Sequence, residues 1–87
     1  MRRNKEDEAD QTLDARGLNC PQPILQTKRL LNRLEVGTTL QVWATDPGSV
    51  LDFRAFCRMT GNELLEMTEE EGLYGFLIRK AKKITPA

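Results

Sequence analysis

The chain has 87 residues, of which 39% are hydrophobic and 30% are charged, so it has room for one domain with a single modest core. Thirteen basic residues balance thirteen acidic ones, and this zero net charge argues against general attraction to nucleic acid or to an anionic membrane. The absence of histidine removes the Cys-His and Ser-His pairs of many hydrolases and the commonest metal ligand. The composition therefore predicts a globular domain without hydrolase chemistry, cofactor or bound metal.

The two ends of the chain differ in character from its middle. Residues 1–10 are highly charged and residues 84–87 have no pattern, so a flexible tail and a frayed end are expected on either side of a single domain over residues 11–83. The first residues contain no apolar segment of the kind a signal peptide needs, and no apolar run is long enough to span a membrane. We therefore expect a cytoplasmic protein without membrane contact, and the small size favours a monomer.

The first three elements are predicted to be a strand, a helix and a strand. Residues 12–16 alternate apolar and polar side chains, which predicts a short strand ending at Gly17. Over residues 21–35 apolar side chains recur every three or four residues, which predicts an amphipathic helix followed by Gly37. Leu40, Val42 and Ala44 then alternate with polar or aromatic residues as a second strand.

A second helix and a hairpin complete the predicted domain. Ser49 and Asp52 resemble a capping box at the start of a helix that stops at Gly61. Leu65 and Met67 share one face of a third strand, residues 69–72 turn, and residues 74–79 alternate as a fourth strand. The order βαβαββ predicts an α+β fold, a two-layer α/β sandwich in which two helices pack on one face of a four-stranded mixed sheet.

Cys20 lies where the first strand gives way to the first helix. With Pro21, Gln22 and Pro23 in the first helical turn, Cys20 is predicted to be the N-cap, its sulfur accepting the Gln22 N–H. The unpaired N–H groups and the positive end of the helix dipole are expected to lower the pKa of the thiol, with Arg16 as the nearest cation.

A thiolate without a histidine, a metal or a second nearby cysteine has a narrow range of reactions. It attacks the sulfur of another protein and holds what it receives, which suits a carrier of persulfide sulfur. The plainer alternative is a structural cysteine that happens to precede a helix. Cys57, among apolar residues of the second helix, is interpreted as a core residue, with a role in resolving a Cys20 persulfide or disulfide as the alternative.

The segment around Cys20 resembles a known signature. Residues 17–23, Gly-Leu-Asn-Cys-Pro-Gln-Pro, are similar to the CPxP motif of the TusA family of sulfurtransferases, also called SirA-like or YhhP-like proteins. The resemblance extends from about residue 12 to residue 80 and includes Asp46-Pro47, Asp52, Phe56-Cys57 and residues 77–80.

This resemblance implies a βαβαββ sandwich whose cysteine, here Cys20, takes persulfide sulfur from a cysteine desulfurase or another donor and passes it to an acceptor protein. In the best-known branch of the family, the acceptor belongs to a relay that leads to thiolation of transfer RNA. Other branches serve sulfur oxidation, molybdenum-cofactor supply or thiosulfate use, and the sequence leaves the branch open.

Several cations are candidates for docking these partners through their acidic surfaces. They are Arg16, Lys28, Arg29, Arg33 and Arg58. An ordinary solvated helix face is an equally good interpretation of them.

An RNA-binding or regulatory module without sulfur chemistry, using the basic run 79–83, is the alternative function, although zero net charge and few aromatic residues argue against direct nucleic-acid binding. A thiol redox protein with a Cys20–Cys57 disulfide is a third.

Overall fold

The computed structural model of the chain describes residues 9–81, and the flexible ends expected from the sequence lie almost entirely outside this part. The helices and strands, in chain order, are β1 (Gln11–Ala15), α1 (Gln22–Leu31), β2 (Thr39–Ala44), α2 (Ser49–Thr60), β3 (Glu63–Glu70) and β4 (Leu73–Arg79). The predicted order βαβαββ is thereby confirmed. Neither helix of the described part is long and apolar enough to cross a membrane.

The four strands form one mixed sheet in the order β1-β2-β4-β3. β1 runs parallel to β2, with Leu13 beside Val42, and β4 is antiparallel to both β2 and β3. Each crossover between parallel strands carries a helix back along the sheet, so α1 and α2 both begin at the edge where β1 and β2 end. This shared edge brings the two helix starts together.

The core lies between the sheet and the helical layer, as the alternation in the strands predicts. The Phe53 ring of α2 stacks on the Phe76 ring of β4, with ring centroids 4.3 Å apart and planes at 13°. Around this pair, the fully or nearly fully buried apolar side chains are Ala15, Leu31, Leu40, Val42, Ala44, Cys57 and Ile78. One continuous core therefore joins both helices to β1, β2 and β4, and side chains of β3 pack against it.

Helix α1 is shorter than its apolar pattern predicts. It ends at Leu31, not at residue 35, because the chain tightens into turns in which Leu34 N–H donates to Leu31 O at 3.1 Å. The Lys80 ammonium donates to Leu31 O at 2.6 Å and to Leu34 O at 2.8 Å. Leu34 still packs against the core, which explains why the periodic pattern continues past the helix end.

Strand β3 contains an irregularity that the sequence pattern did not predict. The pairing with β4 shifts register between Leu64 and Glu66, so Leu65 is an extra residue in the strand. Leu64 and Met67 pack against the core, whereas the Leu65 side chain is 42% exposed. The prediction that Leu65 and Met67 share one face is therefore wrong.

Trp43 lies on the sheet face opposite the helices, as its alternation with Val42 and Ala44 predicts. It is paired across the sheet with Gly75 of β4. A Cβ atom at residue 75 would lie 2.6 Å from Trp43 Cζ3 and 2.7 Å from Thr68 Oγ1. Glycine at this position leaves the space that the indole ring occupies.

Candidate active site at Cys20

The loop that carries Cys20 is tied to the loop that follows β2. Because β1 and β2 are parallel, their carboxyl ends meet at the same edge of the sheet. Gly17 N–H donates to Thr45 Oγ1 at 2.8 Å, and Cys20 N–H donates to Asp46 Oδ2 at 3.0 Å. Two hydrogen bonds across 26 and 28 residues of sequence thus hold the cysteine loop in place.

Cys20 is not the N-cap of α1. The helix begins at Gln22 with Pro21 in the N-cap position, and the Cys20–Pro21 peptide bond is cis. Gln22 N–H donates to Asn19 O at 2.8 Å, so the backbone already uses the donor that the sequence assigned to the sulfur. The predicted N-cap and its hydrogen bond are therefore wrong, although residues 20–23 do lie at the helix start.

The Cys20 thiol is exposed and donates a hydrogen bond to a carboxylate. Its Sγ lies 3.0 Å from Oδ2 of Asp52, a half-buried residue in the first turn of α2. Asp52 was predicted to complete a capping box with Ser49, but Gly48 is the N-cap of α2 and no side chain caps that helix. Its carboxylate is directed at the thiol instead.

The environment raises the pKa of the Cys20 thiol above its ordinary value. The largest cause is the hydrogen bond to Asp52, followed by partial loss of solvent and by the negative charges of Asp52 and Asp46. A helix N-terminus carries roughly half an elementary positive charge, which is less than one full carboxylate charge in contact with the sulfur. The predicted lowering of this pKa is therefore wrong.

Arg16 does not compensate for these charges. Its guanidinium binds Asp14 through Nε–Oδ1 at 2.8 Å and Nη2–Oδ2 at 2.9 Å. This hydrogen bonding lowers the pKa of Asp14 to about 2. Arg16 was expected to be the cation beside Cys20. Its guanidinium is instead engaged by Asp14, two residues earlier in the chain.

The other predicted docking cations are exposed but lie away from the sulfur. They are Lys28 and Arg29 in the last turn of α1, Arg33 just beyond it and Arg58 in the last turn of α2. Both helices run away from the Cys20 edge, and eight helical residues span about 12 Å. The structure therefore places these cations along the helical layer. Arg54 of α2 was not among the predicted docking cations. It is exposed and lies about one helical turn closer to Asp52 than Arg58 does.

Cys57 is a core residue. Its side chain is 5% exposed, and burial raises the pKa of its thiol to about 11. Both cysteines are free thiols. An inert, buried Cys57 and an exposed Cys20 agree with the core interpretation of Cys57.

Asp46 and Asp52 are the residues at the site that the sequence-based prediction undervalued, since it named Asp46 only as part of the family resemblance and gave Asp52 no role beyond a helix cap. A usable signal was present, because both lie within eight residues of the end of β2 and the parallel neighbour β1 ends just before Cys20. Loops that follow adjacent parallel strands meet at one edge. No group of three or more metal-ligating side chains forms anywhere within residues 9–81.

Comparison with known proteins identifies the family of this chain. The model of the family described as Sulfurtransferase TusA matches residues 11–80. The chain belongs to the TusA family. The sulfur carrier protein TusA of Allochromatium vinosum is 60% identical over 72 residues, which cover 83% of this chain and 95% of that protein. The putative sulfur carrier protein YrkI of Bacillus subtilis is 46% identical over 72 residues, covering 83% and 96%.

A solved structure shares the fold of this chain. The crystal structure of a SirA-like protein from Desulfitobacterium hafniense superposes with a TM-score of 0.73 at 26% identity, covering 83% of this chain and 99% of that one. The predicted α+β sandwich is thereby confirmed. Sulfur transfer is the general role of the TusA family, and such a role requires partners that give and receive sulfur.

Proposed function

We propose that this protein carries sulfur as a persulfide on Cys20, receiving it from a cysteine desulfurase or a similar donor and delivering it to an acceptor protein. The observation that carries the proposal is the exposed Cys20 thiol at the edge of the sheet, in a chain that belongs to a sulfurtransferase family. Cys57 is buried, so Cys20 is the thiol that another protein reaches.

Loading exchanges one sulfur–sulfur bond for another. The Cys20 sulfur, as a thiolate, attacks the outer sulfur of the donor persulfide, forming a new S–S bond while the donor S–S bond breaks. The donor cysteine leaves as a thiolate and takes up a proton, which matches the proton lost by Cys20. Delivery repeats the exchange, with an acceptor thiolate attacking the outer sulfur and Cys20 as the leaving group.

The proposed setting is cytoplasmic, and the proposed carrier is a monomer. Two free thiols suit a reducing compartment. For the acceptor, we propose a protein relay that leads to 2-thiouridine in transfer RNA. The proposed docking surface for acidic partner surfaces consists of five cations, Arg16, Lys28, Arg29, Arg33 and Arg58.

Sulfur loading is tested by incubating the protein with a cysteine desulfurase and cysteine and measuring its intact mass. We expect wild type and Cys57→Ser to gain one sulfur atom and Cys20→Ser to gain none. Cys57→Ser is the matched control, because it removes the second thiol and leaves the exposed one. Wild-type protein that stays unmodified, or Cys20→Ser that still gains sulfur, would contradict the proposal.

The acceptor pathway is tested in a bacterial strain that lacks its own TusA. Wild-type protein is expected to restore 2-thiouridine, detected as retarded transfer RNA on gels containing organomercury, and Cys20→Ser is expected to fail. Thiolation that is equal with both proteins would exclude this acceptor branch.

The alternative of an RNA-binding module depended on the basic run 79–83. Arg79 Nε donates to Glu63 Oε1 at 2.6 Å, and Lys80 caps α1, so two of these cations are engaged within the fold. Lys82 and Lys83 lie outside the described residues. RNA binding that survives Cys20→Ser would favour this alternative.

A further inference from the structure

We propose that Asp52 is a positioning residue that holds the Cys20 thiol in its protonated form, so that the free carrier is a weak nucleophile at neutral pH. This inference rests on the proposed function of Cys20 as the sulfur acceptor. It adds a residue of α2 to a site that the motif alone confines to residues 20–23.

The geometry of the contact identifies the thiol as the donor. A carboxylate oxygen accepts and a thiol donates, so the Sγ–Oδ2 contact of 3.0 Å is an S–H···O hydrogen bond from Cys20 to Asp52. Deprotonation of Cys20 would remove this bond and leave two negative groups in contact. The carboxylate therefore favours the thiol over the thiolate.

The surrounding charges act in the same direction. Asp46, in the loop after β2, accepts the Cys20 N–H and adds a second negative charge near the sulfur. Arg16, the nearest cation in the cysteine segment itself, is bound to Asp14. Among the described residues, the charged groups that raise the pKa of this thiol are thus two carboxylates. One is Asp52 of α2, and the other is Asp46 in the loop before it.

A raised pKa of the Cys20 thiol has two opposite effects on its rate of exchange. A thiol held at a higher pKa supplies less thiolate at neutral pH, but each thiolate that forms is a better nucleophile. For every unit of pKa, the thiolate fraction changes about tenfold and the intrinsic nucleophilicity about threefold. Removing the Asp52 charge should therefore accelerate exchange at pH 7 and slow it at high pH.

The test is the pH dependence of thiol–disulfide exchange at Cys20 with 2-hydroxyethyl disulfide, a neutral probe. Trypsin releases residues 17–28 with Cys20 and residues 55–58 with Cys57, so mass spectrometry follows each cysteine separately. Asp52→Asn preserves the size of the side chain and an oxygen that accepts the S–H bond. We expect the exchange rate of Asp52→Asn at pH 7 to exceed that of wild type by about threefold for each pH unit by which the midpoint of its pH profile falls.

At alkaline pH, above both midpoints, Asp52→Asn is expected to react more slowly than wild type, so the two profiles cross. A purely structural role of Asp52 would change accessibility, and both limbs of the profile would then move in the same direction. Asp46→Asn, a second variant, is expected to shift the midpoint the same way by a smaller amount. Crossing profiles support the proposal.

The matched control is Glu63→Gln, which removes one negative charge at the opposite edge of the sheet, where Glu63 pairs with Arg79 of β4. Its profile should superpose on that of wild type. An unchanged or higher midpoint in Asp52→Asn would overturn the proposal, whatever the midpoint of Asp46→Asn. Because the assay contains no sulfur donor, its failure leaves the persulfide experiment above unaffected, and the two proposals can fail separately.

Discussion

The two cysteines show how strongly the immediate surroundings decide the behaviour of a single residue type. Cys20 is exposed and its thiol is opposed by a carboxylate, whereas Cys57 is buried among apolar side chains. Both surroundings raise the pKa of the thiol, the first mainly through hydrogen bonding and the second through burial. Only the first leaves the sulfur within reach of another protein, and a partner that alters the surroundings of Asp52 can alter the reactivity of Cys20.

Cys57 is expected to make stability fall at alkaline pH. Burial raises the pKa of its thiol from 9.0 to about 11, so the folded protein keeps a proton that the unfolded chain loses first. The contribution of the protonated Cys57 thiol to the free energy of unfolding is complete below pH 9.0 and is lost as the pH rises towards about 11. Urea unfolding from pH 8 to 11 should show a smaller loss of stability in Cys57→Ala than in wild type. Parallel curves would contradict this account.

At the scale of elements, both ends of α1 are completed by groups outside the helix. Its start is closed by the turn in which Gln22 N–H donates to Asn19 O, and the carbonyl of its last residue, Leu31, accepts a hydrogen bond from Lys80, which follows β4. The α1 pattern in the sequence contains no sign of this lysine, because it lies 49 residues away from Leu31. The end of the helix is thus fixed by tertiary contact and not by a local stop signal.

Replacement of Lys80 by methionine is expected to destabilise the protein by about 1–2 kcal/mol, because Leu31 O at the helix end and Leu34 O in the following turn lose a charged donor. Methionine keeps most of the apolar stem. Lys28→Met, on the exposed face of α1, is the matched control and should change stability by less than about 0.5 kcal/mol. Urea unfolding measures both, and equal effects of the two substitutions would contradict the capping role of Lys80.

The pairing of Trp43 with Gly75 provides a second test of packing between elements. Gly75→Ala should cost about 1–3 kcal/mol, because its Cβ would lie 2.6 Å from a rigid indole ring. Gly48→Ala is the control, since its Cβ would make an ordinary contact of 3.6 Å with Asp46 at a backbone angle that alanine accepts. Thermal unfolding should separate the two variants. A Gly75→Ala protein as stable as wild type would show that the indole moves freely.

At the scale of the whole molecule, Cys20 and the candidate docking cations other than Arg16 lie at different ends of the helical layer. Cys20 is at the edge where α1 and α2 begin, whereas the cations in their last turns lie at the far end. A partner that uses both must therefore cover the length of a helix. Loading of Cys20 and docking of the donor should be separable by mutation.

The double variant Lys28→Gln, Arg29→Gln is expected to lower kcat/KM for sulfur transfer from a desulfurase several-fold at low salt, with little change in kcat. The difference should shrink at high salt, because exposed charges are screened. Arg79→Gln, at the end of the sheet, is the control for loss of a surface cation. A loss in kcat, or one that does not depend on salt, would assign these residues another role.

The sequence predicted the βαβαββ order and a four-stranded mixed sheet with two helices on one face, because alternation in the strands, periodicity in the helices and the order of elements all agree. It did not predict the strand order β1-β2-β4-β3. It also predicted Cys20 as the reactive residue, which remains a prediction until sulfur is found on it. It did not predict the bulge at Leu65 or the Lys80 cap, since both depend on long-range pairing. The direction of the Cys20 pKa was wrong because the effect of the helix start was considered without the carboxylates of the neighbouring loop and helix.

The most direct test of the account is to follow one sulfur atom through Cys20. The protein is loaded by a desulfurase with isotopically labelled cysteine, separated from the donor and mixed with a thiol acceptor. The account predicts that the label appears on the peptide of residues 17–28 and leaves it as the acceptor gains the same amount. Label on residues 55–58, or label that never leaves residues 17–28, would contradict it.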